Sequence, residues 1–443
     1  MKSDLIKNKI IGVLSVLSAA LLVLSVINSV RIKNLERETE IKNQKYLSEL
    51  CESLDEITTN LHKCLYTGTG DMLQKNGSDL YREASIAKVS LSGLTDESMI
   101  TDEIYKFLSQ VGDYTIYLSG RDKLALSEDE RKGLRELYHY SRNLSEAFEE
   151  LASDYYNGGV AFSQKLSTLM PDTEYEQISF SESFTDTQQT MGDYPTLLYD
   201  GPFADTVLNK KAQGVSGDEI TAQEAREKAG KILGSEGKSL KQEADIDSVI
   251  SLYCFSKGDR SIGITKKGGF VCYLTGEDYA GEATISHSEA VKRGKEYLKE
   301  IGFEENMTDT YYSTYDGICT VNYAYEKDGV IYYADLIKVS VSLETGEAVA
   351  VDSSGYLMNH TKRTYPEKIL SAKECRKSVS PSLKVISTRQ AVIPLETGKE
   401  AFCYEFHCKD EEGQEALIYV DMLTAQEKDI MLLLYSDDGV LTK

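Results

Sequence analysis

Cys403, His407 and Cys408 are the residues whose types and spacing come nearest to a metal site, in the segment AFCYEFHC. Thiolate and imidazole groups are the ligands that zinc prefers in proteins. In an extended strand, however, Cys403 and His407 would share one face while Cys408 would point away from it, and no fourth ligand is evident. We therefore predict no metal and no cofactor, and interpret most of the eight cysteines as small buried hydrophobic residues.

Asp200 is the acidic residue whose context most invites a catalytic interpretation, because Gly201 and Pro202 follow it. The same context is typical of an aspartate that forms a turn, which is the interpretation we favour. The sequence contains no G-x-S-x-G, no phosphate-binding loop and no H-E-x-x-H, and its five histidines are scattered. Because 72 residues are acidic, pairs of carboxylates at glycosidase spacing will occur by chance. We predict a protein that is not an enzyme and has no catalytic residues.

The charge balance excludes one class of partner. The chain of 443 residues has 49 basic and 72 acidic side chains, which gives a net charge of −23. Nucleic acids bind proteins through lysine and arginine contacts to phosphate, so an acidic surface of this kind repels them. The chain also contains 29 Tyr and no Trp, which disfavours glycan binding by the protein itself.

Residues 10–30 form an uncharged apolar run, IIGVLSVLSAALLVLSVINSV. A helix of this length spans about 31 Å, the thickness of the hydrocarbon core of a membrane. Lysines precede the run and Arg31 follows it directly, so we predict an uncleaved single-pass anchor rather than a signal peptide. Residues 1–9 would then be a short cytoplasmic tail, and the rest of the chain would lie outside the cytoplasm.

Residues 31–170 have the pattern of an antiparallel helical bundle. Apolar residues recur at intervals of three and four in four stretches, beginning at Leu47, Leu80, Ile100 and Leu134, and each stretch predicts an amphipathic helix. Ser127 and Glu130 would form a capping box before the fourth. Cys51 and Cys64 lie about 20 Å apart along one helix, too far for a disulfide. A homodimer through this region is left open.

Residues 171–217 have the composition of a connector, with three prolines and many Ser, Thr, Gln, Asp and Gly residues. Within it, one segment has the pattern of ordered local structure: Tyr199-Asp200-Gly201-Pro202-Phe203. Proline fixes a backbone angle at two points of the surrounding segment 193–205 while glycine frees one position, so we predict an ordered turn, strand and turn with aromatic anchors over that segment.

The C-terminal part contains an internal repeat. Three helix starts read alike, at Thr221, Ser286 and Ser371, and each is a capping box followed by a small residue, where the helix must approach its neighbour closely. We predict a helix of about ten to seventeen residues after each start and an antiparallel meander of strands behind it. The modules are 218–280, 281–360 and 361–443. The fold class is therefore α+β: a transmembrane helix, a helical bundle and three helix-plus-sheet modules.

These capped helices, with the strand and turn Val341–Glu347 behind the second, resemble the PepSY module. With the anchor, the helical region and the Tyr199–Phe203 segment, the whole order resembles the YpeB family of spore germination proteins. The resemblance covers nearly the whole chain. The outer repeats match only partially, because Gly268-Gly269 and Thr424-Ala425 stand where the second repeat has Thr345-Gly346.

The resemblance implies a protein of the inner spore (forespore) membrane that binds, stabilises and localises a cortex-lytic enzyme similar to SleB. Two alternatives stay open. One is an inhibitor of a protease or lytic enzyme, because PepSY modules elsewhere resemble peptidase-restraining units. The other is a membrane-anchored sensor ectodomain, against which the nine-residue cytoplasmic tail counts.

Overall fold

The computed structural model describes residues 2–94, 104–105, 107–112, 114, 126, 128–156, 211–234, 240–276, 281–303, 306–395, 397–436 and 439–442, with the backbone alone for residues 2–26. The chain forms two compact units. The N-terminal unit comprises Met1–Leu65, Gln74–Gly120 and Leu126–Phe184, and the C-terminal unit comprises Tyr66–Leu73, Arg121–Ala125 and Thr185–Lys443. The predicted α+β class is confirmed, because a helical region is followed by a sheet.

Three long helices dominate the described part of the N-terminal unit: α1 (Lys2–Tyr66), α2 (Gly70–Leu94) and α3 (Glu128–Tyr156). Further helical residues lie between 104 and 114. The predicted apolar stripes are buried, among them Leu50, Leu91, Val111 and Phe148. The interpretation of these stripes as intramolecular core is therefore confirmed for the described residues. The predicted cap at Ser127 lies outside them.

Side-chain contacts show that α1 and α3 run antiparallel. Thr58 on α1 lies 2.6 Å from Ser141 on α3, and the ring of His62 lies 4.5 Å from that of Tyr138. As the residue number rises on α1 it falls on α3. Since α1 is one continuous helix through Cys51 and Cys64, these residues cannot bridge each other, and all eight cysteines are free thiols.

The predicted membrane anchor at 10–30 falls almost wholly on the part of α1 where only the backbone is described. Within the portion of the chain whose side chains are described, no helix has the length and apolar character needed to cross a membrane. The anchor stays a prediction.

The C-terminal unit is built on one large mixed sheet whose strands are mostly antiparallel. Its strands are β1 (Lys241–Gln242), β2 (Leu252–Lys257), β3 (Arg260–Thr265), β4 (Val271–Thr275), β5 (Met307–Tyr315), β6 (Ile318–Lys327), β7 (Val330–Ser342), β8 (Ala348–Asp352), β9 (Lys384–Pro394), β10 (Glu400–Lys409), β11 (Glu415–Asp421), β12 (Glu427–Ser436) and β13 (Gly439–Thr442). Its helices are α4 (Ala222–Ile232), α5 (His287–Glu300), α6 (Ser354–Asn359) and α7 (Ala372–Cys375), with a 3₁₀ turn at Arg376–Ser378.

The sheet closes on itself over part of its width. Its strand order is β1-β2-β3-β4-β8-β7-β6-β5-β13-β12-β11-β10-β9, and β9 also pairs in parallel with β7 through Gln390, Ala391 and Val392. The strands from β7 round to β9 therefore form a ring. On the side opposite the β7–β9 seam, the ring is completed between β13 and β5 by the pair Gly439 and Ser313.

The three repeats share one turn even where their sequences differ. In each, an N–H bonds the carbonyl five residues later: Thr265 to Phe270, Ser342 to Glu347 and Asp421 to Gln426. The residue before each acceptor has a positive φ, at Gly269 (66°), Gly346 (72°) and Ala425 (56°). The backbone therefore keeps a left-handed position in the third repeat although an alanine occupies it.

The helix starts agree with prediction in part. Thr221 and Ser371 form complete capping boxes with Glu224 and Glu374. Ser286 accepts from the Glu289 N–H, but the Glu289 carboxylate pairs with Arg293 instead of completing the box. The small residues that follow, Ala225, Ala290 and Cys375, are fully buried.

The prediction of a helix of ten or more residues in the third repeat is wrong. α7 has only 4 residues and continues as a 3-residue 3₁₀ turn. Pro381 lacks an amide hydrogen and keeps the residue before it out of the helical region, so the helix has no room to extend before β9 begins at Lys384.

Most of the predicted connector, including Asp200 and the Tyr199–Phe203 segment, lies outside the described residues, as do residues 157–170. At its described end, the N–H groups of Gln213 and Gly214 donate to the carbonyls of Met358 and Leu357. Residues 213–214 are therefore tied to α6 of the second repeat.

Candidate functional site

A bulge in β7 positions a group of buried charged side chains in the described part of the C-terminal unit. Ala324 of β6 pairs with Leu336 of β7, whereas the next residue, Tyr325, pairs with Tyr332. Three residues of β7, from Tyr333 to Asp335, are therefore extra on that strand. Bulges redirect side chains and are frequent beside functional sites.

Asp335, at the end of this bulge, is fully buried in the protein. Its two carboxylate oxygens accept from Nη1 and Nη2 of Arg363, each at 2.7 Å. A bidentate ion pair of this kind fixes the guanidinium plane and neutralises a carboxylate charge that would be costly to bury alone.

Arg363 lies at the start of the third repeat and contacts both repeats. Its Nη2 and Nε also bond the carboxylate of Glu400 on β10, at 2.6 and 2.8 Å, and the guanidinium lies 5.1 Å from the centre of the Tyr332 ring. Burial opposes the charge, but the bonds to Glu400 and Asp335 outweigh it and raise the pKa of Arg363 above its usual value. The arginine therefore stays charged and ties the second repeat to the third.

His360 completes this first network. Its Nδ1 lies 2.7 Å from Oδ2 of Asp335, and its ring is stacked on Tyr356 with the centroids 4.3 Å apart. Tyr325 meets the imidazole edge-on from another side, at 4.6 Å. The aspartate and the two tyrosine rings thus fix the orientation of the imidazole.

A second network lies beside the first, on the neighbouring residues of β7, β9 and β10. Glu405 is 2% exposed; it accepts from Arg389 Nε at 2.6 Å and from the Tyr333 hydroxyl at 2.6 Å. Arg389 Nη2 also donates to the Tyr333 oxygen, at 2.9 Å. Burial, and then the charge of Glu405, raise the pKa of Tyr333 well above its usual value, so the phenol remains a donor.

The chemistry open to these networks is limited by their own bonds. An aspartate that orients a histidine is one part of a nucleophilic triad, but in the described residues no serine or cysteine side chain bonds to His360. Arg363 also neutralises Asp335, which a catalytic acid or base would need free. What the bonds do show is that Arg363 joins Asp335 of the second repeat to Glu400 of the third.

The predicted zinc candidates are not brought together by the structure. Cys403 is fully buried in the apolar core of the ring, and burial raises the pKa of its thiol well above the usual value. His407 Nε2 lies 2.7 Å from Glu415 Oε2, and the Cys408 thiol donates to the Phe406 carbonyl. In the part of the chain whose side chains are described, no three His, Cys, Asp or Glu residues are grouped as a metal site would require.

The residues of the two networks were not singled out from the sequence. A usable signal was present, because Asp335 and Glu405 each have apolar or aromatic neighbours on both sides in the sequence, and a buried acid must be paired. Tyr323 and Tyr333 are both fully buried. Tyr323 is covered by α5, where its hydroxyl donates to the Val291 carbonyl, and Tyr333 lies in the core of the ring.

Comparison with known proteins assigns the chain to a family. Residues 31–164 match the family model described as YpeB N-terminal, and residues 180–366 match the model described as YpeB sporulation, PepSY1 and PepSY2 domains. Together these ranges cover more than half of the chain.

Similar proteins agree with these matches. The sporulation protein YpeB of Bacillus subtilis (strain 168) is 26% identical over 375 residues, which cover 82% of this chain and 83% of that protein. The protein of the same name from Halalkalibacterium halodurans is 24% identical over 418 residues, 91% and 92% of the two chains. The solved Bacillus megaterium YpeB C-terminal domain is 22% identical and matches 49% of this chain and 100% of that chain, with a TM-score of 0.45. The chain therefore belongs to the YpeB family of sporulation proteins.

Proposed function

We propose that this protein is not an enzyme, and that it binds and stabilises a cortex-lytic enzyme similar to SleB outside the inner spore membrane. Its role in sporulation and germination follows from its family. Binding of a cortex-lytic enzyme extends that role to one class of partner, whose action on the spore cortex must be held back until germination.

The observation that carries this proposal is the state of the buried acids in the described C-terminal unit. Asp335 and Glu405 are bonded to arginines. Asp421 accepts from the N–H groups of Leu423 and Thr424, and Glu427 accepts from Gly68 and Thr69. Asp335 and Glu405, each paired with an arginine, are not available as a general acid, a general base or a nucleophile, so this pairing supports a binding role.

The proposal includes the topology expected from the sequence. Residues 10–30 would anchor the chain as a single transmembrane pass, with residues 1–9 in the cytoplasm and both described units outside it. We also propose that the third repeat is a PepSY-like module. Its turn supports this, because it repeats the backbone hydrogen bond and the positive φ of the other two.

The test is the level of the partner enzyme in spores. Deleting the gene for this chain should lower the amount of cortex-lytic enzyme detected by immunoblot in dormant spores, and returning the gene should restore it. The transcript of the enzyme, measured in parallel, should not change. An unchanged amount of enzyme in the deletion strain would overturn the proposal.

A purified system separates stabilisation from inhibition. The full chain in detergent micelles is added to the purified enzyme, and both the thermal midpoint of the enzyme and its rate on cortex fragments are measured. Our proposal expects a higher midpoint. A dose-dependent loss of rate without a rise in the midpoint would favour the inhibitor instead.

A further inference from the structure

The polar face of β9 and β10 continues beyond the second network toward one end of the ring. Opposite pairs along these strands are Glu405 with Arg389, His407 with Ser387, and Lys409 with Lys384. Residues directly opposite each other, and residues two apart along a strand, share one face of a sheet. We call Lys384, Ser387, Arg389, His407 and Lys409 the basic face.

The arrangement of the two lysines on the basic face works against stability. Like charges directly opposite each other on neighbouring strands are destabilising. Lys409 is relieved by an ion pair with Glu415 at 3.3 Å. Lys384 is exposed and has no ion-pair partner among the described residues, so its charge is left for a group from outside.

The acids that face these residues on the strands, Glu405 and Glu415, are already engaged, whereas the exposed Glu411 and Glu412 lie beyond Lys409 in the turn that follows β10. Glu415 accepts from His407 at 2.7 Å, from the Tyr435 hydroxyl at 2.7 Å and from Lys409. Glu405 is 2% exposed and faces Arg389, whose side chain is 39% exposed. The groups that remain accessible on this face are therefore cationic, in a chain whose net charge is −23.

Part of β9, the strand that carries Lys384 and Arg389, has no neighbouring strand on its outer side among the described residues. On its outer side β9 pairs with β7 only through residues 390–392, so within the described structure residues 384–389 form an edge. An extended peptide can add to such an edge through main-chain hydrogen bonds, and its alternate side chains then face the same side of the sheet. A register shift between His407 and Cys408 leaves Ile386 as an extra residue on this edge.

We propose that the β9 edge binds an extended acidic peptide segment of a partner protein. Carboxylates at alternate positions of that segment would pair with Lys384 and with the exposed part of the Arg389 guanidinium. Edge lysines and bulges also protect strands against indiscriminate pairing, and here the same features would admit an acidic strand while rejecting others. The proposal does not depend on the partner being a lytic enzyme.

The test uses the full chain in detergent micelles and a fluorescein-labelled peptide of alternating Glu and Thr, about eight residues long to match a strand. Fluorescence anisotropy should show saturable binding that weakens as salt is added, because the charges are exposed. A peptide with Gln in place of each Glu should bind much more weakly. Absence of saturable binding, or equal binding of the two peptides, would overturn the proposal.

Variants place the binding on the basic face. Lys384→Gln should weaken binding of the Glu peptide roughly fivefold, the size expected for one exposed ion pair, whereas Lys384→Arg should retain it. Lys399→Gln is the matched control, because Lys399 is exposed at the opposite end of the same hairpin, and it should bind as the parent does.

Two further outcomes would count against the proposal. If inorganic phosphate or free glutamate displaces the peptide at concentrations similar to those of the peptide, the face binds simple anions and not a strand. If Lys384→Gln leaves peptide binding unchanged but causes self-association in size-exclusion chromatography, the lysine serves only to protect the edge.

Discussion

Asp335 and Arg363 form a two-pronged ion pair with two oxygen–nitrogen distances of 2.7 Å, and the carboxylate is wholly shielded from solvent. The same guanidinium reaches Glu400 on β10. Arg363, at the start of the third repeat, is therefore bound at once to a strand of the second repeat and to a strand of its own repeat. The pair converts two repeats into one structural body, which closure of the ring requires.

Asp335→Asn should destabilise the C-terminal unit by about 3 kcal/mol, because removing one partner of a buried pair leaves an uncompensated charge. Glu400 still faces Arg363, which keeps the loss below that of a fully stranded arginine. Urea unfolding of the full chain in detergent, followed by circular dichroism, gives the free energy of unfolding. Asp309→Asn, at an exposed position of β5, should change stability by less than about 0.5 kcal/mol, and equal effects of the two changes would contradict the pairing.

The helical unit was predictable because its signal is local. Leu50, Leu54 and Leu61 repeat at helical spacing, and a helix buries one face whatever its neighbours are. All three are fully buried. The same holds for the helix caps at Thr221 and Ser371, which depend on residues three apart.

The ring and its networks depend on contacts that no local pattern contains. Glu405 and Arg389 are 16 residues apart, and Asp335 and Arg363 are 28 apart. Their pairing follows from the hairpin register and from the β7 bulge, and a shift of one residue would turn either acid to the other face. The sequence shows an acid that needs a partner, but the partner is chosen by closure of the ring.

Gly294→Ala should destabilise the second repeat although alanine favours helices. Gly294 is buried on α5, and a Cβ there would overlap the hydroxyl of Tyr323, which itself donates to the Val291 carbonyl at 2.5 Å. Overpacking of this kind costs about 1 to 3 kcal/mol, more than the gain in helix propensity of about 1 kcal/mol.

The effect of Gly294→Ala is measured as a change in the thermal midpoint of unfolding of the full chain. Lys295→Ala, on an exposed position of the same helix, supplies the gain in propensity without the clash, and its midpoint should stay the same or rise. A rise for Gly294→Ala as well would show that α5 does not approach the sheet closely.

Ala425→Gly should stabilise the third repeat. Ala425 has a φ of 56°, and a left-handed backbone costs an alanine roughly 1 kcal/mol relative to glycine. The converse change in the second repeat, Gly346→Ala, should destabilise by at least as much, because Gly346 occupies the same turn with a φ of 72° and a Cβ there would also overlap the Arg293 guanidinium.

Chemical unfolding of both variants checks the equivalence of the turns. Ala350→Gly serves as the control, since Ala350 lies within β8, where glycine lowers stability by roughly 0.5 to 1 kcal/mol. If Ala425→Gly is destabilising to the same degree as Ala350→Gly, the third turn does not hold its alanine in the left-handed region.

Glu427→Gln should remove a pH dependence from the stability of the C-terminal unit. Within that unit, which includes Tyr66–Leu73, the Glu427 carboxylate accepts from the Gly68 N–H at 3.0 Å and from the Thr69 N–H and hydroxyl at 2.9 and 2.7 Å. Burial raises the pKa of Glu427 from 4.5 to about 7, although these bonds favour the charged form.

Because the pKa of Glu427 is higher in the folded state than in the unfolded state, stability falls as the pH rises. Between pH 4.5 and 7 the folded state holds a proton that the unfolded state has released, so stability is full below about pH 4.5 and is lost as the pH rises toward 7. The loss attributable to Glu427 is roughly 2 to 4 kcal/mol. Unfolding free energies of the parent and of Glu427→Gln, measured from pH 4 to 8, should therefore differ by an amount that changes across this window.

Glu347→Gln is the matched control for this titration, because Glu347 is exposed in the corresponding turn of the second repeat. Its curve should run parallel to that of the parent at every pH. A parallel curve for Glu427→Gln would mean that the carboxylate titrates near its usual pKa, which requires water to reach it. In that case the bonds to Gly68 and Thr69 would be those of a solvated turn and not of a buried acid.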